Sequence, residues 1–157
     1  MDRQLARDED GLATDRDVTA FAVPSSSPAR SEAGEYRPGV CNIGPAEIAR
    51  RRRTGHTGVI ATIVLLAVLV VVHATTPLRL LAFFPAAVAA AGYLQSWLRF
   101  CAGFGWLGVL NFDEVGTTER VGSSEDRARD RAMAFRIGLA SAAIGVAVAI
   151  AAFVLPA

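Results

Sequence analysis

The stretch from Thr57 to Phe100 restricts what this chain can become more than any other. Its first half, Thr57 to Val72, carries no charge, and its second, Leu78 to about Leu98, has one arginine near each end. Each half approaches the ~20 residues that a helix rising ~1.5 Å per residue needs to cross ~30 Å of hydrocarbon. The break between them, Ala74-Thr75-Thr76-Pro77, leaves no room for a folded domain. A transmembrane helical hairpin is therefore expected. A third apolar run, from about Phe135 to Leu155, has the length for another span. The fold class predicted is all-α: an integral membrane protein with a hairpin, a third transmembrane helix and a disordered N-terminal tail.

Of the 157 residues 52% are hydrophobic, and they are segregated into these blocks. A soluble core of this size would instead alternate apolar and charged faces every few residues. No apolar run precedes Thr57, so no secretory leader is expected.

All 16 basic residues are arginines, and 15 of them fall in the segment up to Arg53 or between Arg99 and Arg136. The positive-inside rule then predicts a multi-pass protein of a cell (inner or plasma) membrane. Its N-terminus and long later loop would be cytoplasmic, its first turn and C-terminus outside. Arg50, Arg51, Arg52 and Arg53, just before the first span, read as topology anchors beside lipid headgroups. Nucleic acid is not an expected partner, because no aromatic interleaving or second basic patch accompanies them.

Three regions are expected. Residues 1–40, with five arginines against eight carboxylates and a Pro/Ser-rich run, read as a disordered cytoplasmic tail. Residues 41–112 read as a short juxtamembrane helix, the hairpin and an interfacial or re-entrant segment. That helix would start at Pro45, with Asn42 or Gly44 as cap and Glu47 against its positive end, and stop near Thr54-Gly55. Pro85 is expected to kink the second span. Residues 113–157 read as a polar loop, a helix start at Ser123-Ser124 with Glu125 and Asp126 following, and the third span. Within that span Gly138, Ser141, Ala142, Gly145, Ala149 and Ala152 share a broad small-residue face. Gly138, Ala142, Gly145 and Ala149 are the candidate packing seam, against the hairpin or a second copy.

The pattern Asn42-Ile43-Gly44-x-x-Glu47-x-x-x-Arg51-x-x-x-Gly55, two spans, then Cys101-x-x-Phe104-Gly105-x-x-Gly108-Val109 resembles the YgaP-like inner-membrane domain family. The likeness covers about Cys41 to Asn111. It implies a membrane hairpin, self-associating in some settings, found alone or behind a rhodanese domain. The chain departs from the family in Ala102, where a proline is usual, in the extra Cys41 and in its third span. Nothing outside the spans is long enough for a rhodanese domain, so sulfurtransferase activity is not implied.

The chemically suggestive residues are Cys41 and Cys101, one at each cytoplasmic end of the hairpin. Cys41 precedes a helix start and four arginines, a setting in which reactive thiols occur; a reducing cytoplasm argues against a lasting disulfide. Two cysteines, with His56 the only obvious third ligand, make an incomplete metal site, so neither metal nor cofactor is expected. No phosphate-binding loop, HExxH or nucleophile elbow is present. The expected function is non-enzymatic: a membrane accessory or self-associating component, in contact with lipids and with a second copy or another membrane protein. The alternatives are a redox or sulfur-handling accessory using Cys41 and Cys101 and, more remotely, a small-anion conduit.

Overall fold

A computed structural model describes residues 35–154. The element order is helix α1 (Pro45–Val71), a 3-10 segment (Thr76–Ala82), α2 (Phe83–Trp97), the short α3 (Ala102–Leu107), strands β1 (Val109–Leu110) and β2 (Glu119–Arg120), and α4 (Ser124–Val154). Three stretches, Pro45–Val71, Thr76–Trp97 and Ser124–Val154, are helical and apolar enough to cross a membrane. The expected helical hairpin with a third span is thus the observed architecture. The expected tail falls outside the described residues up to position 34.

Helix α2 lies between α1 and α4, which scarcely meet one another. In lipid, helices attract through close packing, so small residues belong at their crossings. A Cβ added to Gly92 would collide with the backbone nitrogen of Gly55 and lie 2.8 Å from the Arg51 carbonyl oxygen. One added to Gly58 would lie 2.6 Å from the Ala89 nitrogen. The α1–α2 crossing is thus a backbone-to-backbone contact. On the other side, Gly145 of α4 rests on Ala87 and Phe83. At the arginine-bearing end, Phe100, Ala134 and Ile137 form the core, flanked by Leu94, Leu98 and Met133.

Several expectations need correction. No juxtamembrane helix ends at Gly55: α1 is continuous from Pro45 to Val71. Gly55 is a packing position on Tyr93 and Gly92, not a stop. Pro85 is the third residue of α2 and follows the 3-10 turn. Its missing N–H falls just where the continuous helix changes from 3-10 to α geometry. Of the candidate seam, Gly145 and Ala149 are buried and Ala142 is half-buried, whereas Gly138 is exposed, with nothing within 4 Å of a Cβ added there, which leaves it to the second-copy alternative. The inward line of α4 instead runs Ala134, Ile137, Ser141, Gly145, Ala149, Ala152.

The expected helix start holds. Ser123 accepts the backbone N–H groups of Glu125 and Asp126, at 3.2 and 3.4 Å. Both α1 and α2 end in six-to-one backbone bonds, Ala74 N–H to Leu69 at 2.9 Å and Phe100 N–H to Gln95 at 3.0 Å. His73 and Arg99 take the left-handed conformation there, at φ 49° and 53°.

Candidate functional site

The polar chemistry gathers at the arginine-bearing end, where the segment before α1 meets the turn after α2. Asn42 is fully buried and acts as a peptide mimic. Its Oδ1 accepts the Cys101 N–H at 2.7 Å, and its Nδ2 donates to the Cys101 carbonyl at 3.1 Å. Its own backbone continues the pairing: Asn42 N–H donates to Arg99, Asn111 N–H donates to Asn42, and Gly44 N–H donates to Asn111. Asn42 is therefore a clamp rather than a helix cap; Gly44 is the capping residue. A sequence reading favours the cap because it is local, whereas the clamp joins positions 59 apart.

Helix α1 then presents Glu47 and Arg51 on its inner face, four residues apart. Glu47 is 1% exposed, with Oε2 3.5 Å from Arg51 Nη2 and Oε1 3.3 Å from Arg50 Nη1. Neither Glu47 Oε2 nor Arg51 Nε completes a hydrogen bond, so this carboxylate is held by charge more than by directed bonds. Arg51 Nη2 donates to Cys101 Sγ at 3.0 Å, and its guanidinium carbon sits 5.9 Å from the Phe104 ring centroid. Arg51 thus turns inward, unlike Arg50, Arg52 and Arg53, which stay exposed. Its expected role as a headgroup anchor is corrected accordingly: helical spacing puts it in line with Glu47 and Gly55.

Cys101 is 1% exposed and Cys41 half-buried; both are free thiols. The clamp brings the backbone beside Cys41 to that of Cys101, while Cys41 Sγ points to the Ile43 carbonyl at 3.9 Å. A sulfur this buried behaves first as a small apolar side chain. Any reagent reaching Cys101 must first open this cluster, since the residue is 1% exposed. Among the described residues no group of three or more His, Cys, Asp or Glu is placed to hold a metal ion.

A second polar centre was not foreseen. The tail was expected to run through Val40, but residues 35–40 carry an ordered turn. Pro38 and Gly39 (φ 70°) occupy its centre, with Val40 N–H bonded to the Arg37 carbonyl at 2.9 Å. Pro then Gly with positive φ is the type II arrangement. This turn docks on α4 through Asp130, which is fully buried. Asp130 accepts Tyr36 Oη at 2.9 Å and Gly39 N–H at 2.6 Å. Arg37-Pro38-Gly39 was the available signal, but its partner lies 91 residues away.

Burial, the hydrogen bond to Asp130 and the charges of Asp130 and Asp126 push the Tyr36 phenol well above its ordinary value of 10.0. The phenol must keep its proton to donate. Its stabilisation is therefore complete below the ordinary value and is lost as pH rises through the higher folded one. A spectrophotometric titration, with Tyr36→Phe subtracted, is expected to show Tyr36 ionising later than a free tyrosine. Ionisation at the ordinary value would mean that the turn is undocked in solution.

No family model, curated protein or solved structure matches the chain.

Proposed function

We propose that this chain is a non-enzymatic membrane component that works by helix packing, as an accessory subunit or by self-association. Its N-terminus would face the cytoplasm and its C-terminus the outside of a cell membrane. The observation that carries this reading is a stripe on α4. Ala140, Ala143, Ala147 and Ala151 are all exposed and recur at three- and four-residue spacing, away from the buried line through Ser141, Gly145 and Ala149. Lipid-facing positions need only be apolar, whereas a repeated small side chain permits a close backbone approach. The polar end supports a scaffolding role: its buried groups are spent on joining chain segments. The YgaP-like resemblance belongs to the same reading, since Asn42, Arg51, Cys101 and Phe104 meet in that one cluster.

Ala147→Cys is expected to crosslink between copies, or to a partner, in native membranes. Ala147→Leu is expected to remove the larger species from a blue-native gel. A monomer alone in native lipid, with no crosslink, would rule the reading out.

The Arg51–Cys101 contact favours a second reading, a sulfur-handling accessory in which Cys101 is the working thiol. Here Cys101→Ser is expected to abolish a cellular phenotype that Cys41→Ser leaves intact or weakens. An unchanged phenotype in both variants would eliminate it.

A further inference from the structure

Because α1 and α4 scarcely meet, the face of α2 between them is left as the floor of a groove. The cavity holds about 370 Å³. Its walls are Val59 and Ile63 of α1 and Ile144 and Val148 of α4, with Ala90 on the floor and Tyr93 at the end nearer the arginines. Its lining is apolar apart from Thr62, whose hydroxyl donates to the Gly58 carbonyl at 2.8 Å, and the end near the arginines, where the Tyr93 hydroxyl lies 2.6 Å from His56 Nδ1.

Charge completes the shape. Positions 52, 59 and 63 of an α-helix fall within about 20° of one line, at 100° per residue, and position 56 lies beside it. Exposed Arg52 therefore sits directly below His56 and the Val59–Ile63 wall. Arg53 is also exposed but points about a quarter-turn away. The acid nearest on this helix, Glu47, is buried and engaged by Arg50 and Arg51, so it does not cancel the positive face.

We propose that this groove is a binding site for one anionic phospholipid of the leaflet at the arginine-bearing end. An acyl chain lies between α1 and α4, and the phosphate is held by Arg52 and His56 beside the Tyr93 hydroxyl. The apolar walls fit a hydrocarbon tail; the guanidinium directly below them fits an anion and gives a zwitterionic headgroup no comparable advantage. The inference rests on the membrane reading of the three helices but not on self-association.

The test is native mass spectrometry of the full chain in non-ionic detergent, with dioleoyl phosphatidylglycerol or dioleoyl phosphatidylcholine added. Retention of phosphatidylglycerol over phosphatidylcholine is the expected result. One surface arginine contributes about 1 kcal/mol towards an anionic lipid, so Arg52→Gln is expected to reduce that preference about fivefold. Arg53→Gln, the same charge change off the line, is expected to leave it intact. Val59→Trp, which fills the wall, is expected to reduce retention of both lipids. All three positions are exposed, and far-UV circular dichroism checks that the helices persist.

Equal retention of the two lipids, or equal losses in Arg52→Gln and Arg53→Gln, would overturn the proposal. So would binding of glycerol phosphate as strong as that of the lipid, or an inter-copy crosslink from Ile63→Cys to Ile144→Cys, which would place a second chain in the groove. A chain that stays soluble without detergent would instead overturn the membrane reading beneath it.

Discussion

Asn42→Ala is expected to destabilise the folded chain by roughly 2–6 kcal/mol, from two buried backbone groups orphaned at ~1–3 kcal/mol each. The substitution leaves the N–H and the carbonyl of Cys101 without the partners that Asn42 supplies. The site is closed to water, since Asn42 is 0% and Cys101 1% exposed. No neighbour in the described residues stands ready to replace a side chain that donates and accepts at once. The loss would spread along the pairing, because the Asn42 backbone also bonds Arg99 and Asn111. Unfolding in mixed micelles, followed by far-UV circular dichroism, measures the change. A loss below about 1 kcal/mol, the size of one ordinary hydrogen bond, would show that the clamp is not a stabilising device.

The second large effect is expected from Gly92→Leu. Its Cβ would enter the space of the Gly55 nitrogen and lie 2.8 Å from the Arg51 carbonyl oxygen, both backbone atoms that cannot rotate aside. Overpacking a tight contact ordinarily costs ~1–3 kcal/mol, and a collision with main chain belongs at or above the upper limit. Helices α1 and α2 would have to separate, which also shifts Arg51 away from Cys101. The matched control is Gly138→Leu, on an apolar exposed face with nothing within 4 Å of the added carbon. That change is expected to be neutral or slightly stabilising, since glycine is a poor helix former. A similar loss in both variants would mean that a cost common to any added leucine side chain, not the crossing, explains the effect.

These two residues also mark what a linear reading can reach. Gly92 closes an alanine-rich run, Ala86 to Gly92, that invites a close helix approach. Nothing local names Gly55 as its partner, and near a run of arginines a glycine reads as a helix end. Ser123 was legible as a cap because its partners are two and three residues away. Of the two cap candidates Gly44 takes the position, while the role of Asn42 is not legible because its partner is 59 residues away, across two helices. The candidate thiols lie at the expected end, but that Cys101 is buried beneath Arg51 follows only from how α1 is rotated.

The same division separates the four arginines. Arg50, Arg52 and Arg53 remain on the surface, Arg50 reaching back to Glu47 from there. Arg51 is drawn inward by Glu47 and Phe104. Its four-residue spacing from Glu47 and Gly55 sets it apart from its neighbours, but which face of α1 turns inward is not legible in the run. The docked turn at Tyr36 and Gly39 is the clearest case. Its composition is that of a solvated tail, and it is ordered because one buried carboxylate on α4 accepts from it twice.

The amino-acid order alone determined the number of long apolar helices, their approximate limits and the end at which charge collects. Hydrophobic length and charge segregation are properties of single segments, and hydrocarbon selects for them without reference to neighbours. Only the tertiary structure decided which small residues are consumed at crossings, which arginine turns inward and where a groove stays open. Those outcomes depend on helix rotation and contact distance, and both are set by pairs of residues far apart in the chain.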